Sequence, residues 1–372
     1  MTSNYLVMKN DEKAIYDLRV LYEKYGYSQY KMSKFEEYDL YVRNKDFLVS
    51  DNIITFTDTN GKLMALKPDV TLSIIKNSKD SKNSVEKLYY NENVYRVSKG
   101  TDSFKEIMQV GLECMGDIDM YSLYEVLMLA GESLKSISDD FILDISDFDI
   151  VSELISDLSI KKETELFKCI SEKNIHGIDN ILSEENVPDD KKELLKKIVS
   201  IYGSPKSVYD ELSKLDLNEN IKNTAKNLLD ICEYLENCGM EGKVKIDFSI
   251  VNDRKYYNGI VFKGYIKGIP TSILSGGRYD KLMKKMGKSK GAVGFAVYLD
   301  SLEFLNDYES KYDVDVVLLY DNDDIGMISR YIKKYNDMGM SVLALKKVSG
   351  KMKYKKLIKI TEKGEEILEN NA

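Results

Sequence analysis

The segment 87–116 constrains the fold of this chain more than any other, because its pattern predicts a long β-hairpin. β-Branched and aromatic residues fill both arms, and the Gly-Thr-Asp cluster at 100–102 predicts the turn. Successive side chains of a strand point to opposite faces, so Gln109, Gly111 and Glu113 share one face of the returning arm. An amide and a carboxylate therefore project side by side, with a glycine between them that leaves room for a small molecule.

This polar face has two interpretations. A buried carboxylate without a partner is costly, so Glu113 is expected to meet water or a cationic ligand, as in an amino-acid pocket. A solvated sheet face, whose polar residues alternate only because they contact water, explains the same pattern. The hairpin alone does not separate the two.

Composition excludes several classes of function. The net charge of −8 disfavours a general polyanion-binding protein, which needs an excess of Lys and Arg. The four cysteines show no Cys-x-x-Cys spacing, so reduced thiols are expected. A single histidine, His176, disfavours zinc sites built on His and Ser-His-Asp triads, and it is expected in an exposed loop. No cofactor or metal is expected.

No part of the sequence suggests a membrane. The first thirteen residues carry no apolar signal core, and no apolar run approaches the length of a membrane span. A cytoplasmic protein is the expectation.

Shorter motifs flank the hairpin. An Asn-Gly hairpin is predicted over 54–66, and Asp69 follows it where a strand ends and a helix begins. Asp69 either caps that helix or offers an anion to an ammonium group, and both roles stay open. Gly276 and Gly277 either let the backbone approach another group closely or form a tight turn, and the tight turn is the prediction. Their surroundings lack the lysine and Ser/Thr of a P-loop. The segment 120–137 is predicted as a helix that backs the sheet, with Glu125 on its opposite side.

The distribution of strand and helix patterns predicts three parts. Residues 1–149 and 240–308 carry the strand patterns of one core domain, and 150–239 reads as a helical insertion. Residues 309–372 alternate as β-α-β, which implies a small parallel sheet. The lysines between 346 and 359 are expected to form a solvated face, with nucleic-acid contact as the alternative.

Several ordered blocks resemble one family. KPDVT, YRV…KEIMQVGLECMG, YYNGIVF…SGGRYDKLMKKMG and GAVGFAVYLDSL are similar to the catalytic domain of class II histidyl-tRNA synthetases. They resemble more closely the non-catalytic paralogues of those enzymes, the ATP phosphoribosyltransferase regulatory subunits. The resemblance covers about the first 305 residues. It implies an α+β fold in which helices flank an antiparallel sheet, with a helical insertion and a small C-terminal α/β domain.

The resemblance also implies a histidine-binding site. Asp69 matches the acid that binds the α-ammonium group. Gln109 matches the amide of the pocket, and Glu113 matches the carboxylate that recognises the imidazole ring. The other matching positions are the ring-lining tyrosines Tyr256 and Tyr257, the hairpin arginine Arg96, and Gly276, Gly277 and Arg278 of the GGRYD segment beside the site.

Departures from the synthetase pattern imply a lost nucleotide site. Asn252 stands where an active synthetase has the arginine before its tyrosine pair, and Arg254 lies two residues along. Ser301 replaces the arginine that clamps ATP. Lys105 replaces the second hairpin arginine, and Ser98 replaces an acid. Adenylation depends on preorganised positive charge at the phosphate, so these losses imply a protein that does not catalyse it.

The implied function is that of a regulator. By resemblance, the chain is expected to bind L-histidine, to form a homodimer, and to assemble with a short-form catalytic ATP phosphoribosyltransferase into a hetero-octamer that transmits histidine feedback. No tRNA partner is expected. The alternatives are an active adenylate-forming ligase with rearranged arginines, and a class II-like module that binds another amino acid or an RNA.

Overall fold

The computed structural model describes residues 8–45, 48, 53–78, 85–97, 103–251, 256–305, 312–321, 324–348, 350–361 and 364–371. The chain divides into two compact units, one of Lys9–Leu305 and the other of Met1–Met8 with Asn306–Ala372. None of the helices in the described ranges combines the length and apolar character needed to cross a bilayer.

A nine-stranded sheet forms the centre of the larger unit. Its strands, in chain order, are β1 (Ser28–Gln29), β5 (Glu86–Val97), β6 (Phe104–Gly116), β7 (Phe141–Asp147), β8 (Tyr202–Gly203), β9 (Val244–Asp247), β10 (Ile260–Ile266), β11 (Leu274–Arg278) and β12 (Gly291–Tyr298). They lie in the order β1-β5-β6-β12-β11-β10-β7-β9-β8. The six strands from β5 to β7 in that order are antiparallel, and the two parallel pairs, β1-β5 and β7-β9, lie near the edges. The predicted antiparallel core is confirmed.

The predicted hairpin is the longest strand pair of this sheet. β5 and β6 pair in antiparallel register, with Leu88 opposite Glu113 and Tyr90 opposite Gly111. The predicted turn at 100–102 lies outside the described residues. A smaller sheet of β2 (Phe35–Glu37), β3 (Thr55–Thr57) and β4 (Leu63–Leu66) contains the predicted Asn-Gly hairpin.

Helices surround the sheet. In chain order they are α1 (Asn10–Lys24), α2 (Tyr38–Arg43), α3 (Thr71–Asn77), α4 (Met120–Ile137), α5 (Phe148–Ser156), α6 (Glu163–Ser171), α7 (Ile175–Glu184), α8 (Asp189–Ser200), α9 (Pro205–Leu212), α10 (Glu219–Leu235) and α11 (Asp280–Lys285). A π-helical turn, Glu236–Met240, follows α10, and a 3-10 helix, Leu299–Leu305, follows β12. The apolar side chains of α1, α4 and α5–α10 share one core cluster with the sheet.

The prediction for Glu125 of α4 is wrong. Its side chain is 4% exposed, and Oε1 lies 2.6 Å from Nζ of Lys87 on β5. The hydroxyls of Tyr27 and Tyr121 also donate to this carboxylate. Helical periodicity placed Glu125 on the side opposite the apolar residues, but a lysine and a phenol on other segments, with a second phenol one turn away, supply buried partners that the pattern does not show.

Between β7 and β9 the chain is helical, apart from the two-residue β8. His176 lies in the first turn of α7 rather than in a loop, and its side chain is exposed. The helix begins here because the Asn174 side chain accepts a hydrogen bond from the Gly177 amide.

In its described residues, the smaller unit holds a four-stranded sheet and one helix. β13 (Val314–Tyr320) is parallel to β14 (Val342–Leu345) and to β15 (Tyr354–Thr361), as the β-α-β pattern predicts, and α12 (Ile325–Asp337) lies between β13 and β14 in the chain. The antiparallel β16 (Gly364–Asn370) was not predicted. Its acidic sequence has weak intrinsic strand preference, and its register places Glu366 opposite Lys359 of β15, so opposite charges lie across the strand pair.

Candidate functional site

Glu113 stands at the centre of the candidate site. Its side chain lies on β6 and is buried, at 2% exposure. The Thr71 hydroxyl at the start of α3 donates to Oε1 at 2.7 Å, and the Tyr279 hydroxyl donates to Oε2. Burial raises the pKa of Glu113 to about 8, while the two hydroxyl contacts act in the opposite direction. Burial therefore favours the protonated form of this carboxyl group.

Glycines make space for this group. Gly294 of β12 pairs with Glu113, and a Cβ built on Gly294 would lie 2.8 Å from the Glu113 Cδ. Gly277 of β11 pairs with Gly294, and a Cβ there would lie 2.8 Å from Cδ1 of Tyr257. Two neighbouring strands thus lack side chains where the carboxylate and a tyrosine ring approach the sheet.

The hollow expected beside Gly111 is filled by protein. The Tyr90 hydroxyl, from the facing position on β5, occupies the space where a side chain on residue 111 would stand. Burial raises the pKa of Tyr90 well above 10, and the nearby Glu113 carboxylate adds to the increase. The phenol is therefore a neutral hydrogen-bonding group at the floor of the site.

Three further tyrosines form a wall. The ring centroids of Tyr256 and Tyr257 are 4.7 Å apart, and those of Tyr256 and Tyr279 are 5.6 Å apart. Burial raises the pKa of Tyr256 and of Tyr279 well above 10. Edge-to-face and tilted rings of this kind hold one another in place and present neutral phenols to the site.

Asp69 caps α3, because its Oδ1 accepts a hydrogen bond from the Leu72 amide at 2.8 Å. Burial raises the pKa of Asp69, and the Arg96 guanidinium lowers it in part. Arg96 donates from Nε to the Pro68 carbonyl at 3.1 Å. Lys67 is 1% exposed and pairs with Glu92 at 2.8 Å. The Tyr95 amide donates to the Lys67 carbonyl at 2.9 Å, so this hydrogen bond and the buried ion pair fix the short segment that carries Asp69.

The predicted tight turn at Gly276 and Gly277 is wrong, because both residues lie within β11. Gly277 is on the same face as Glu113, whereas Gly276 is on the opposite face, where a Cβ would lie 2.6 Å from the Phe262 ring. Arg278 donates from Nε to Asp280 Oδ2 at 2.8 Å. A Gly-Gly pair thus serves close packing here, which local sequence does not distinguish from a turn.

Gln109 lies two positions before Gly111 on the face that carries Glu113, and it is 3% exposed. In the sheet it is opposite Tyr298, whose hydroxyl lies 3.0 Å from the Ser275 hydroxyl. The amide therefore faces a polar strip of the sheet.

The structure brings most of the predicted residues together. Asp69, Glu113, Tyr256 and Tyr257 interact electrostatically, Gly277 lies beneath Tyr257, and Gln109 shares the face. The Nε atoms of Arg96 and Arg278 donate to acceptors within the protein, the Pro68 carbonyl and Asp280. Gly276 lies on the face of the sheet opposite Glu113. Sequence reasoning missed Thr71, Tyr279, Tyr90 and Gly294, although Thr71 and Tyr279 belong to the KPDVT and GGRYD segments that it used.

Part of the predicted nucleotide site lies outside the described residues, namely Ser98, Asn252 and Arg254. Lys105 is exposed on β6, and Ser301 is half-buried in the 3-10 helix. Within the described ranges, no group of three or more His, Cys, Asp or Glu side chains is placed to hold a metal ion.

Comparisons with known proteins agree with this fold. The family model described as histidyl-tRNA synthetase matches residues 7–302. A solved structure titled ATP phosphoribosyltransferase regulatory subunit/histidyl-tRNA synthetase, from Bacillus halodurans, is similar with a TM-score of 0.74 and 25% identity, over 90% of this chain and 88% of that one. An ATP phosphoribosyl transferase complex from Thermotoga maritima contains a chain with the same fold, with a TM-score of 0.62 and 20% identity over 78% of this chain and 98% of that one.

The fold and the matching family model define a class II aminoacyl-tRNA synthetase-like protein of the histidyl-tRNA synthetase family. Curated relatives that match most of the chain are named ATP phosphoribosyltransferase regulatory subunit. The relative from Caldanaerobacter subterraneus subsp. tengcongensis is 31% identical over 303 residues, which are 79% of this chain and 78% of the relative. The chain belongs to the family of ATP phosphoribosyltransferase regulatory subunits.

Proposed function

We propose that this chain is the non-catalytic regulatory subunit of an ATP phosphoribosyltransferase, the first enzyme of L-histidine biosynthesis, and that it binds L-histidine. The observation that carries the proposal is the buried Glu113 carboxyl group, held by the Thr71 and Tyr279 hydroxyls beside Asp69. Two carboxyl groups among neutral phenols suit a ligand with two cationic groups, an ammonium and a protonated ring.

Each residue has a role in this proposal. Asp69 receives the α-ammonium group, and Glu113 receives the imidazole N–H. Tyr256 and Tyr257 line the ring, and Gln109 offers its amide to the remaining polar groups of the ligand. Arg96, Arg278, Gly276 and Gly277 complete the proposed set, with Gly276 acting through packing, since it lies on the other face of the sheet.

The proposed absence of catalysis rests on the loss of positive charge from the nucleotide site. Two of the positions that carry ATP-binding guanidiniums in the synthetases are Lys105 and Ser301 here. The Nε atoms of Arg96 and Arg278 are committed to the Pro68 carbonyl and to Asp280. Preorganised positive charge at the reacting phosphate supplies several kcal/mol of transition-state stabilisation, so its loss removes the basis for adenylation.

The proposed partner is a short-form catalytic ATP phosphoribosyltransferase subunit. The structural relative from Thermotoga maritima is part of an ATP phosphoribosyl transferase complex, and we propose the same kind of assembly here, with a homodimer of this chain in a hetero-octamer. Feedback then requires that histidine bind one state of the assembly more tightly than another, because equal affinity for both states does not shift the equilibrium between them.

Calorimetry with L-histidine tests the site. Glu113→Ala and Tyr257→Phe should each weaken binding, by about tenfold or more for Glu113→Ala, because a charge-assisted hydrogen bond in a dry site is lost. Glu106→Ala is the matched control, since Glu106 is an exposed glutamate on the same strand. Unchanged affinity in Glu113→Ala would refute the pocket. A histidine-dependent ATP–pyrophosphate exchange by the purified chain would instead favour the ligase alternative.

A further inference from the structure

A cavity of about 370 Å³ opens on the helical part of the larger unit, away from the candidate site. It lies between α5, the first half of α8 and the segment that leads into α10. Its floor is apolar and consists of Leu154, Leu158, Leu194, Leu195, Leu217 and Ile221. Leu154, Leu158 and Leu194 are only half-buried, so an apolar surface remains accessible.

Three exposed carboxylates surround this apolar floor, those of Asp157, Asp190 and Asp216. Within the described part of the chain, none of the three forms an ion pair. Two lysines of α8 pair with other acids, Lys192 with Asp189 at 2.9 Å and Lys196 with Asp179 at 2.7 Å. The residues that line the cavity therefore carry net negative charge, with three carboxylates against the ammonium group of Lys191.

A polar groove of about 530 Å³ adjoins the cavity between α5 and α10. Its lining residues are Asp149, Ser152, Glu153, Ser156, Asn220, Asn223, Thr224 and Asn227. The two concavities meet where Asn218, at the cavity rim, donates to Glu153 in the groove at 2.7 Å. Their lining residues include five carboxylates and one ammonium group, that of Lys191.

This combination specifies the chemistry of an occupant. The leucine floor has room for one or two apolar side chains, and the carboxylates of the rim attract Lys or Arg beside them. Amide and hydroxyl groups in the groove offer hydrogen bonds to an adjoining backbone. A basic polypeptide segment with an apolar tip meets all three requirements. A second copy of this chain in a two-fold contact would instead bring the same acidic rims together.

We propose that these two concavities, together called the acidic hollow, dock a basic, apolar-tipped segment of the catalytic subunit. This inference rests on the proposed function and names the surface that the regulatory subunit offers. The acidic hollow belongs to the helical segment, so docking there leaves the sheet face with Glu113 free to bind histidine.

Affinity measurements between the full chain and the purified catalytic subunit of the same organism test the inference. The double variant Asp157→Asn/Asp216→Asn and the single variant Leu194→Ala alter the charge and the apolar floor separately. Each should weaken the complex by about tenfold, and the double variant should also reduce the dependence of affinity on salt. Asp210→Asn/Glu233→Gln removes two charges outside both concavities and should change affinity by less than about twofold.

The outcomes separate the two claims. Wild-type affinity in both hollow variants would overturn the docking surface and leave the proposed function standing. A wild-type chain that does not bind the catalytic subunit would overturn both. If sedimentation shows that the hollow variants lose self-association of the chain alone, a second copy is the occupant and the inference fails.

Discussion

The Glu113 carboxylate occupies the space that a side chain on Gly294 would need, since the two residues are direct neighbours on β6 and β12. The carboxylate and its two hydroxyl partners therefore depend on a residue without a Cβ on the next strand.

Gly294→Ala should displace the Glu113 carboxyl group from Thr71 and Tyr279. We expect it to lower the free energy of unfolding by about 1–3 kcal/mol, as overpacking in a filled interior does, and to abolish histidine binding. Chemical denaturation and calorimetry measure the two effects. Gly350→Ala is the control, because a Cβ there meets no atom within 4 Å. Histidine binding of wild-type strength in Gly294→Ala would show that the carboxylate tolerates the methyl group.

The raised pKa of Glu113 makes stability depend on pH. The folded state holds this proton up to about pH 8, whereas the unfolded state releases it near the ordinary pKa of 4.5. Between those values the folded state binds more protons, so the free energy of unfolding should fall as pH rises. Glu113→Gln should flatten that part of the profile in urea denaturation at a series of pH values. Parallel profiles for the variant and the wild type would contradict the assignment.

Histidine binding should release protons to the buffer or take them up, depending on pH, and Glu113 should set that dependence. The complex shares one proton between the carboxylate and the imidazole, whose ordinary pKa is about 6.5. Near pH 7 the free site already holds that proton, so we expect little net exchange. At pH 5.5 binding should release about one proton, and at pH 8.5 it should take one up. Calorimetry in buffers of different ionisation enthalpy measures this exchange, and the same exchange in Glu113→Gln would contradict the role of Glu113.

The buried Lys67–Glu92 pair should stabilise the segment that carries Asp69. Lys67→Met leaves a largely buried carboxylate without its partner, and we expect a loss of about 3 kcal/mol in the free energy of unfolding. Lys67→Met/Glu92→Gln should recover most of that loss, because the unpaired charge is gone. A double variant as unstable as the single one would show that packing of the Lys67 side chain, and not its charge, is what matters.

The sequence predicted the central hairpin and the shared face of Gln109 and Glu113, because strand alternation is a local property. Prediction from the sequence failed where contacts between distant segments determine the position of a side chain or the type of element. Lys87 draws Glu125 into the interior, and Tyr90 fills the space beside Gly111. Gly276 and Gly277 lie in a strand because the neighbouring strands approach closely. Each of these outcomes depends on segments that are distant in the chain, which local patterns do not report.

The most direct test of the account is the ATP phosphoribosyltransferase activity of the purified short-form catalytic subunit, with and without this chain and L-histidine. We expect activity only when this chain is present, inhibition by histidine, and relief of that inhibition by Glu113→Ala. If the catalytic subunit has the same activity with and without this chain, whether or not histidine is added, the account is contradicted.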